Sequence, residues 1–238
     1  MLGSSLAAET KVTSSNDHRL NVRDFGAKAD QTTDDTAAFQ AAIDAAHTAG
    51  GGTVFVPPGM YRLNGTLIVK LNVTLEGIFT APPTIPWTAE SLGKGAPNGS
   101  VLLTFAGKGD ASGTPFIQLA YNATVKGLAV FHPEQTDTNP PIAYPWTICS
   151  QLSGADNCSV IDVLLVNPCQ AVDFGGRHTG RHFIRNLNAA SLQRFSAIAA
   201  LALGRRRRKR VASAANSEAE RGYAKIYRGR CAGTITSA

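Results

Sequence analysis

The chain has 238 residues, 43% of them apolar and only 17% charged, which excludes a wholly disordered polymer and allows one large domain or two small ones. Its formal net charge of +6 suggests an anionic partner only until the charge is located. Residues 191–238 carry 11 Lys and Arg against two acids, Glu218 and Glu220, a net +9, while residues 1–190 carry 12 against 15, a net −3. The pI near 9.3 therefore describes the tail and not the body.

Residues 1–20 are polar and expected to be disordered. The opening MLGSSLAAET has the small residues of a cleavage site without a basic n-region or an apolar h-region, so a signal-peptide stump and a frayed terminus both fit. No uncharged apolar run approaches the roughly 20 residues of a membrane span. From Asn21 the text reads as a short strand, a loop and a helix near 35–49. Phe39, Ala42, Ile43 and Ala46 form one apolar stripe, Thr33 or Asp34 can cap its start, and Gly50 to Gly52 stop it.

From Thr53 to about Asn188 the pattern changes to β-branched runs of four to nine residues, such as GTVFV, GTLIVKL, SVLLTF and CSVIDVLLV, punctuated by Gly, Pro, Asn and Asp. The body is all-β. It also repeats: NVTLEGI starts at Asn72, NATVKGL at Asn122, NCSVIDV at Asn157 and RHFIRNL at Arg181. The spacings of 50, 35 and 24 residues fit two turns, one turn with an inserted loop (HPEQTDTNPPIAYP), and one turn of a solenoid with a period of roughly 25.

The repeat has a physical reading at each position. Leu75, Val125, Val160 and Ile184, with Ile78, Leu128, Val163 and Leu187, are expected to face a shared core, and Glu76, Lys126, Ile161 and Arg185 to face outward. Gly77, Gly127, Asp162 and Asn186 occupy one place and are residues that tolerate a left-handed backbone, so a bend is expected once per coil. The Asn that opens three repeats is suited to a stacked ladder. About five or six coils fit, with the amphipathic helix capping the first.

The segment NVRDFGAKADQTTDDTAAFQAAIDAA, followed by GGGTVFVPPGMYRL, resembles the opening of the pectate-lyase-like right-handed parallel β-helix superfamily. That superfamily includes rhamnogalacturonase-like and polygalacturonase-related glycoside hydrolases, epimerase-like proteins and phage tailspikes. The resemblance covers roughly residues 21–188, within a β-helix domain expected over 21–190, and implies a secreted or extracytoplasmic protein acting on or binding an acidic polysaccharide. A hydrolase of this kind needs two or three carboxylates, and a lyase a base beside a Ca²⁺ held by carboxylates. The sequence shows no complete set of either kind. It has no NTD, no adjacent DD in the coils and no GHG. No cofactor is identified, and Ca²⁺ enters only if the chemistry is lyase-like. The rival from another class is a non-catalytic tailspike or adhesion module.

The catalytic candidates are Asp173, His178 and Arg181, where a carboxylate stands close in sequence to an imidazole and a guanidinium. A turn Asp with exposed basic neighbours is the simpler alternative. Trp87, Tyr144 and Trp146 are candidates for stacking on sugar rings, with packing of the Pro-rich loops as the alternative. Asp162 aligns with the bend positions rather than with a catalytic role. The four cysteines lack CxxC spacing, and no cluster has metal-ligand spacing.

After Leu187 the repeat, the prolines and the acidic balance are lost together. Residues 191–238 are expected to form an irregular basic tail, of the composition a shifted reading frame in GC-rich DNA gives. A native basic tail around GRRRRKR, which would bind DNA with steep salt dependence, and an ordinary capping segment are the alternatives. On this reading the chain is an N-terminal fragment lacking the catalytic coils.

Overall fold

A computed structural model describes residues 19–79, 99–135, 140–150, 155–174 and 180–189, and the backbone of 194–197. The strands form three stacks, every pairing parallel. Face 1 is built from β1 (Arg19–Asn21), β3 (Gly52–Phe55), β6 (Val73–Glu76), β9 (Thr124–Lys126) and the first halves of β12 (Ser159–Val166) and β14 (Phe183–Ala189). Face 2 holds β2 (Asp30–Asp34), β4 (Gly59–Leu63), β7 (Ser100–Thr104), β10 (Ala129–Phe131) and the second halves of β12 and β14. Face 3 holds β5 (Leu67–Val69), β8 (Ile117–Leu119), β11 (Trp146–Ser150), β13 (Gln170–Asp173) and β15 (Arg194–Ala197). Successive strands visit the three faces in turn, so the chain winds as a parallel β-helix.

Alternation along each strand sends Leu75, Val125 and Val160 inward from face 1, Leu102, Val130 and Leu165 from face 2, and Ile117, Ile148 and Val172 from face 3, into one continuous core. The outer side of face 2 is buried as well. Met60, Val101, Leu103, Ala129, Phe131, Leu164 and Val166 make a second cluster with Phe79 and Phe105 packed against it. That double burial is why β7 and β10 read as unbroken apolar runs rather than alternating ones.

Helix α1 (Thr36–Thr48) closes the amino end with Phe39, Ala42, Ile43 and Ala46 buried beneath it. Its two leading aspartates divide the work. Asp34, one residue before the N-cap, accepts from the N–H and hydroxyl of Thr36, whereas the buried N-cap residue Asp35 turns its carboxylate to the N–H groups of Lys28 and Ala29 and braces the preceding loop.

Several expectations need correction. Thr74 pairs directly with Thr124, so the 50-residue spacing is a single coil enlarged by insertions and not two coils. Ile78, expected in the core, is 46% exposed because it follows the bend of that enlarged coil and points away from the stack. The coil also continues past residue 190, since β15 pairs with β13 inside the segment assigned to the tail. At the other end β1 begins at Arg19, inside the segment expected to be disordered.

The corner between faces 1 and 2 is left-handed at Gly127 (φ +67), Asp162 (φ +53) and Asn186 (φ +50). Gly77 is different. It is not among the left-handed residues, but a Cβ there would meet the Leu128 side chain and stand 2.6 Å from the Ser100 Cβ, so glycine is required for close approach of neighbouring coils.

Candidate functional site

One row of side chains runs along face 3 in the outward phase, with Cys149 buried within it. Ile68, Gln118, Cys149 and Asp173 are in register, rung on rung, opposite in phase to the inward row of Leu67, Ile117, Ile148 and Val172. The chain enters face 3 from face 2 between β7 and β8 and between β10 and β11, and leaves it for face 1 after β13. Asp173 thus stands at the end of β13 beside Cys149. The Cys149 thiol is pushed up to about 12 by burial and then by the nearby Asp173 and Cys158 charges, and its Sγ donates to the Ser150 carbonyl. It is a protonated thiol there and not a nucleophile.

The 105–116 and 132–145 loops are held by glutamines that imitate backbone. Gln135 donates to the Ile142 carbonyl and accepts from the Ile142 N–H, and Gln170 donates to the carbonyls of Ala111 and Tyr144. Beneath the second loop the buried rings of His132 and Tyr144 meet edge to face at 5.0 Å. Burial lowers the His132 pKa to about 4, partly opposed by the Val166 carbonyl, so the ring is neutral.

The corner between faces 3 and 1 carries the ladder. Asn72, Asn122 and Asn157 are all left-handed; Asn122 donates its amide to Asn72 Oδ1 at 2.8 Å and Asn157 to Asn122 Oδ1 at 2.6 Å. Arg181 takes the fourth position, with φ +55. Its Nη2 lies 2.7 Å from Asp156 Oδ2, the other Asp156 oxygen accepts from the Gly180 N–H, and the Tyr121 hydroxyl faces the same guanidinium. The Arg181 hydrogen bond, supported by the Gly180 N–H, holds the Asp156 carboxyl below its usual range.

Of the residues singled out in the sequence, Asp173 ends β13 and Arg181 stands just before β14. Phe174, which follows Asp173, stacks at 4.4 Å on His182, which follows Arg181. The carboxylate that Arg181 grips is Asp156, which the sequence did not single out. His178 and Trp87 lie outside the described residues. Trp146 is half-buried at the start of β11, whereas Tyr144 is fully buried and has no exposed face for a sugar. Among the described residues no group of three or more His, Cys, Asp or Glu is placed to hold a metal ion, so the single carboxylates Asp173 and Asp156 do not fit a Ca²⁺ cage. The Asp156–Arg181–Tyr121 group was findable only as an exception, since Arg181 breaks the Asn pattern.

Comparison with known proteins bears on what this surface does. The family model for "Rhamnogalacturonase A/epimerase, pectate lyase-like" matches residues 19–187. Alginate lyase 7 of Azotobacter vinelandii is 59% identical over 64 residues, which is 24% of this chain and 8% of that protein. Mannuronan C5-epimerase AlgE3 of the same organism is 56% identical over 65 residues, 24% of this chain and 4% of that protein. The solved A-module of mannuronan C-5 epimerase AlgE6 from A. vinelandii superimposes with a TM-score of 0.42 at 22% identity, covering 72% of this chain and 50% of the module. The chain thus spans less than a tenth of the length of the two curated relatives just named.

Proposed function

Because the chain belongs to the rhamnogalacturonase A/epimerase, pectate-lyase-like family, we propose that it acts on or binds an acidic polysaccharide along the outer surface of face 3. The observation that carries the proposal is the position of Asp173. It is a carboxylate in the outward phase of β13, in register with Cys149 and Gln118. The coils repeat at about 4.8 Å, comparable with the length of one sugar residue, so a linear glycan lying along the axis meets one outward side chain per unit. Relatives named for alginate lyase and mannuronan epimerase activity support a polyuronate as the polymer.

The described part of face 3 offers one outward carboxylate, Asp173. Hydrolysis uses a pair of carboxylates, one as acid and one as base or nucleophile. Proton abstraction beside a uronate carboxyl, or binding alone, asks for less. Among the described residues no helix is long and apolar enough to cross a membrane, and an extracytoplasmic location is part of the same proposal.

The test incubates the full chain with alginate, with and without added Ca²⁺. Unsaturated product marks a lyase, an altered ratio of the two uronates an epimerase, new reducing ends without unsaturation a hydrolase, and retention without product a tailspike- or adhesion-type module. Asp173→Asn is expected to abolish any product. No binding and no product would sink the proposal.

A further inference from the structure

We propose that Arg181 and Tyr121 form a subsite for the carboxylate-bearing ring of a hexuronate, with Leu71 farther along the same corner facing the next ring of the polymer. This inference rests on the polysaccharide reading above and specifies how the acidic group is recognised. The first observation is a backbone that does not suit its side chain. Four consecutive rungs turn the corner through left-handed residues at Asn72 (φ +60), Asn122 (φ +56), Asn157 (φ +58) and Arg181 (φ +55). Asparagine tolerates that conformation and, in the first three rungs, links amide to amide. Arginine has neither advantage. It is strained there and, having no acceptor, cannot extend the ladder as Asn does.

What arginine adds is an oriented guanidinium. Its side chain is 70% exposed, yet it is held by Asp156 Oδ2 on one side and faced by the Tyr121 hydroxyl. Asp156 is itself fixed by the Gly180 N–H. A guanidinium has five N–H donors in a rigid fork, so these partners orient it and leave donors facing solvent.

The second observation is an exposed step on the same corner, where Tyr121 stands two rungs and Leu71 three rungs from Arg181. Leu71 and Tyr121, one residue before the first two ladder positions, are 40% and 45% exposed, two of the four exposed large hydrophobics among the described residues. Their rungs are adjacent, because the Asn72 N–H donates to the Tyr121 carbonyl. A pyranose has an apolar C–H face and polar edges. The Tyr121 ring suits that face, the free donors of Arg181 suit a carboxylate at the ring edge, and Leu71 suits the face of the next unit.

The experiment titrates the full chain with a mannuronate tetramer and with its carboxyl-reduced, neutral counterpart. Arg181→Asn restores the ladder residue, so the variant is expected to melt no lower than the wild type. Its affinity for the acidic tetramer is expected to fall roughly tenfold or more, with a weaker salt dependence and unchanged affinity for the neutral one. Tyr121→Ala is expected to weaken both. Equal loss for both oligomers in Arg181→Asn, or no loss at all, overturns the subsite. Should that variant not fold, Arg181→Lys serves instead: it keeps the charge without the fork, and undiminished affinity for the acidic tetramer overturns the proposal equally. A wild-type chain that binds neither oligomer sinks the polysaccharide reading itself, whereas wild-type binding untouched by either substitution overturns the subsite alone.

Discussion

The side chain of Gln40 on α1 does the work of a missing strand for Ile68 on β5. Its Oε1 accepts from the Ile68 N–H at 2.9 Å and its Nε2 donates to the Ile68 carbonyl at 3.2 Å, so one amide supplies both bonds of a parallel rung. The first rung of face 3 would otherwise present an open edge at the amino end of the coil. Lys70 paired with Asp44, and His47 Nδ1 against the Leu71 carbonyl, fasten the helix farther along the same edge.

Gln40→Leu keeps the bulk of the side chain but leaves both Ile68 groups without a partner. The expected loss is about 1–3 kcal/mol in urea unfolding. Gln40→Glu retains the acceptor and loses the donor, so it is expected to fall between Gln40→Leu and the wild type. Equal stability of all three would show that the clasp contributes nothing.

Asn122 is the middle of the ladder, donating to Asn72 and accepting from Asn157. Asn122→Ala removes both bonds and places a side chain with no local compensation in a left-handed backbone, an expected cost of about 1–3 kcal/mol. Asn122→Gly loses the same bonds without the strain. The difference between the two variants in denaturant midpoint measures the backbone contribution, and Asn122→Ala should be the less stable.

His132 predicts a pH dependence. Its folded pKa, about 4, lies below the ordinary value of 6.5, so the unfolded chain takes up the proton first on acidification. The stability contributed by the neutral ring is complete above pH 6.5 and is lost as pH falls from there toward 4. Denaturation midpoints measured across that interval should decline in the wild type and decline less in His132→Phe. Parallel profiles would show that other groups account for the slope.

Two kinds of residue show why parts of the fold and site were readable in advance. Phe39, Ala42, Ile43 and Ala46 obey a local rule, one stripe on one helix, and all four are buried. Asn72, Asn122 and Asn157 likewise declare a shared corner, because a left-handed backbone selects few residue types wherever it occurs. Tyr144 obeys no such rule. An aromatic residue in a Pro-rich loop reads the same whether it faces a sugar or His132, and only the packing of that loop buries it.

By itself the sequence determined that this is a β-solenoid body with an amino-terminal helical cap, and that Gly127, Asp162 and Asn186 share a left-handed corner. Those properties follow from side-chain periodicity and backbone sterics, which act over a few residues. Only the tertiary structure decided that the 50 residues from Thr74 to Thr124 are one coil, that Asp173 stands beside Cys149, and that Arg181 reaches back to Asp156. In a solenoid, residues that touch across a rung are separated in sequence by one whole coil. Its length depends on inserted loops, so spacing in the chain does not reveal which side chains meet.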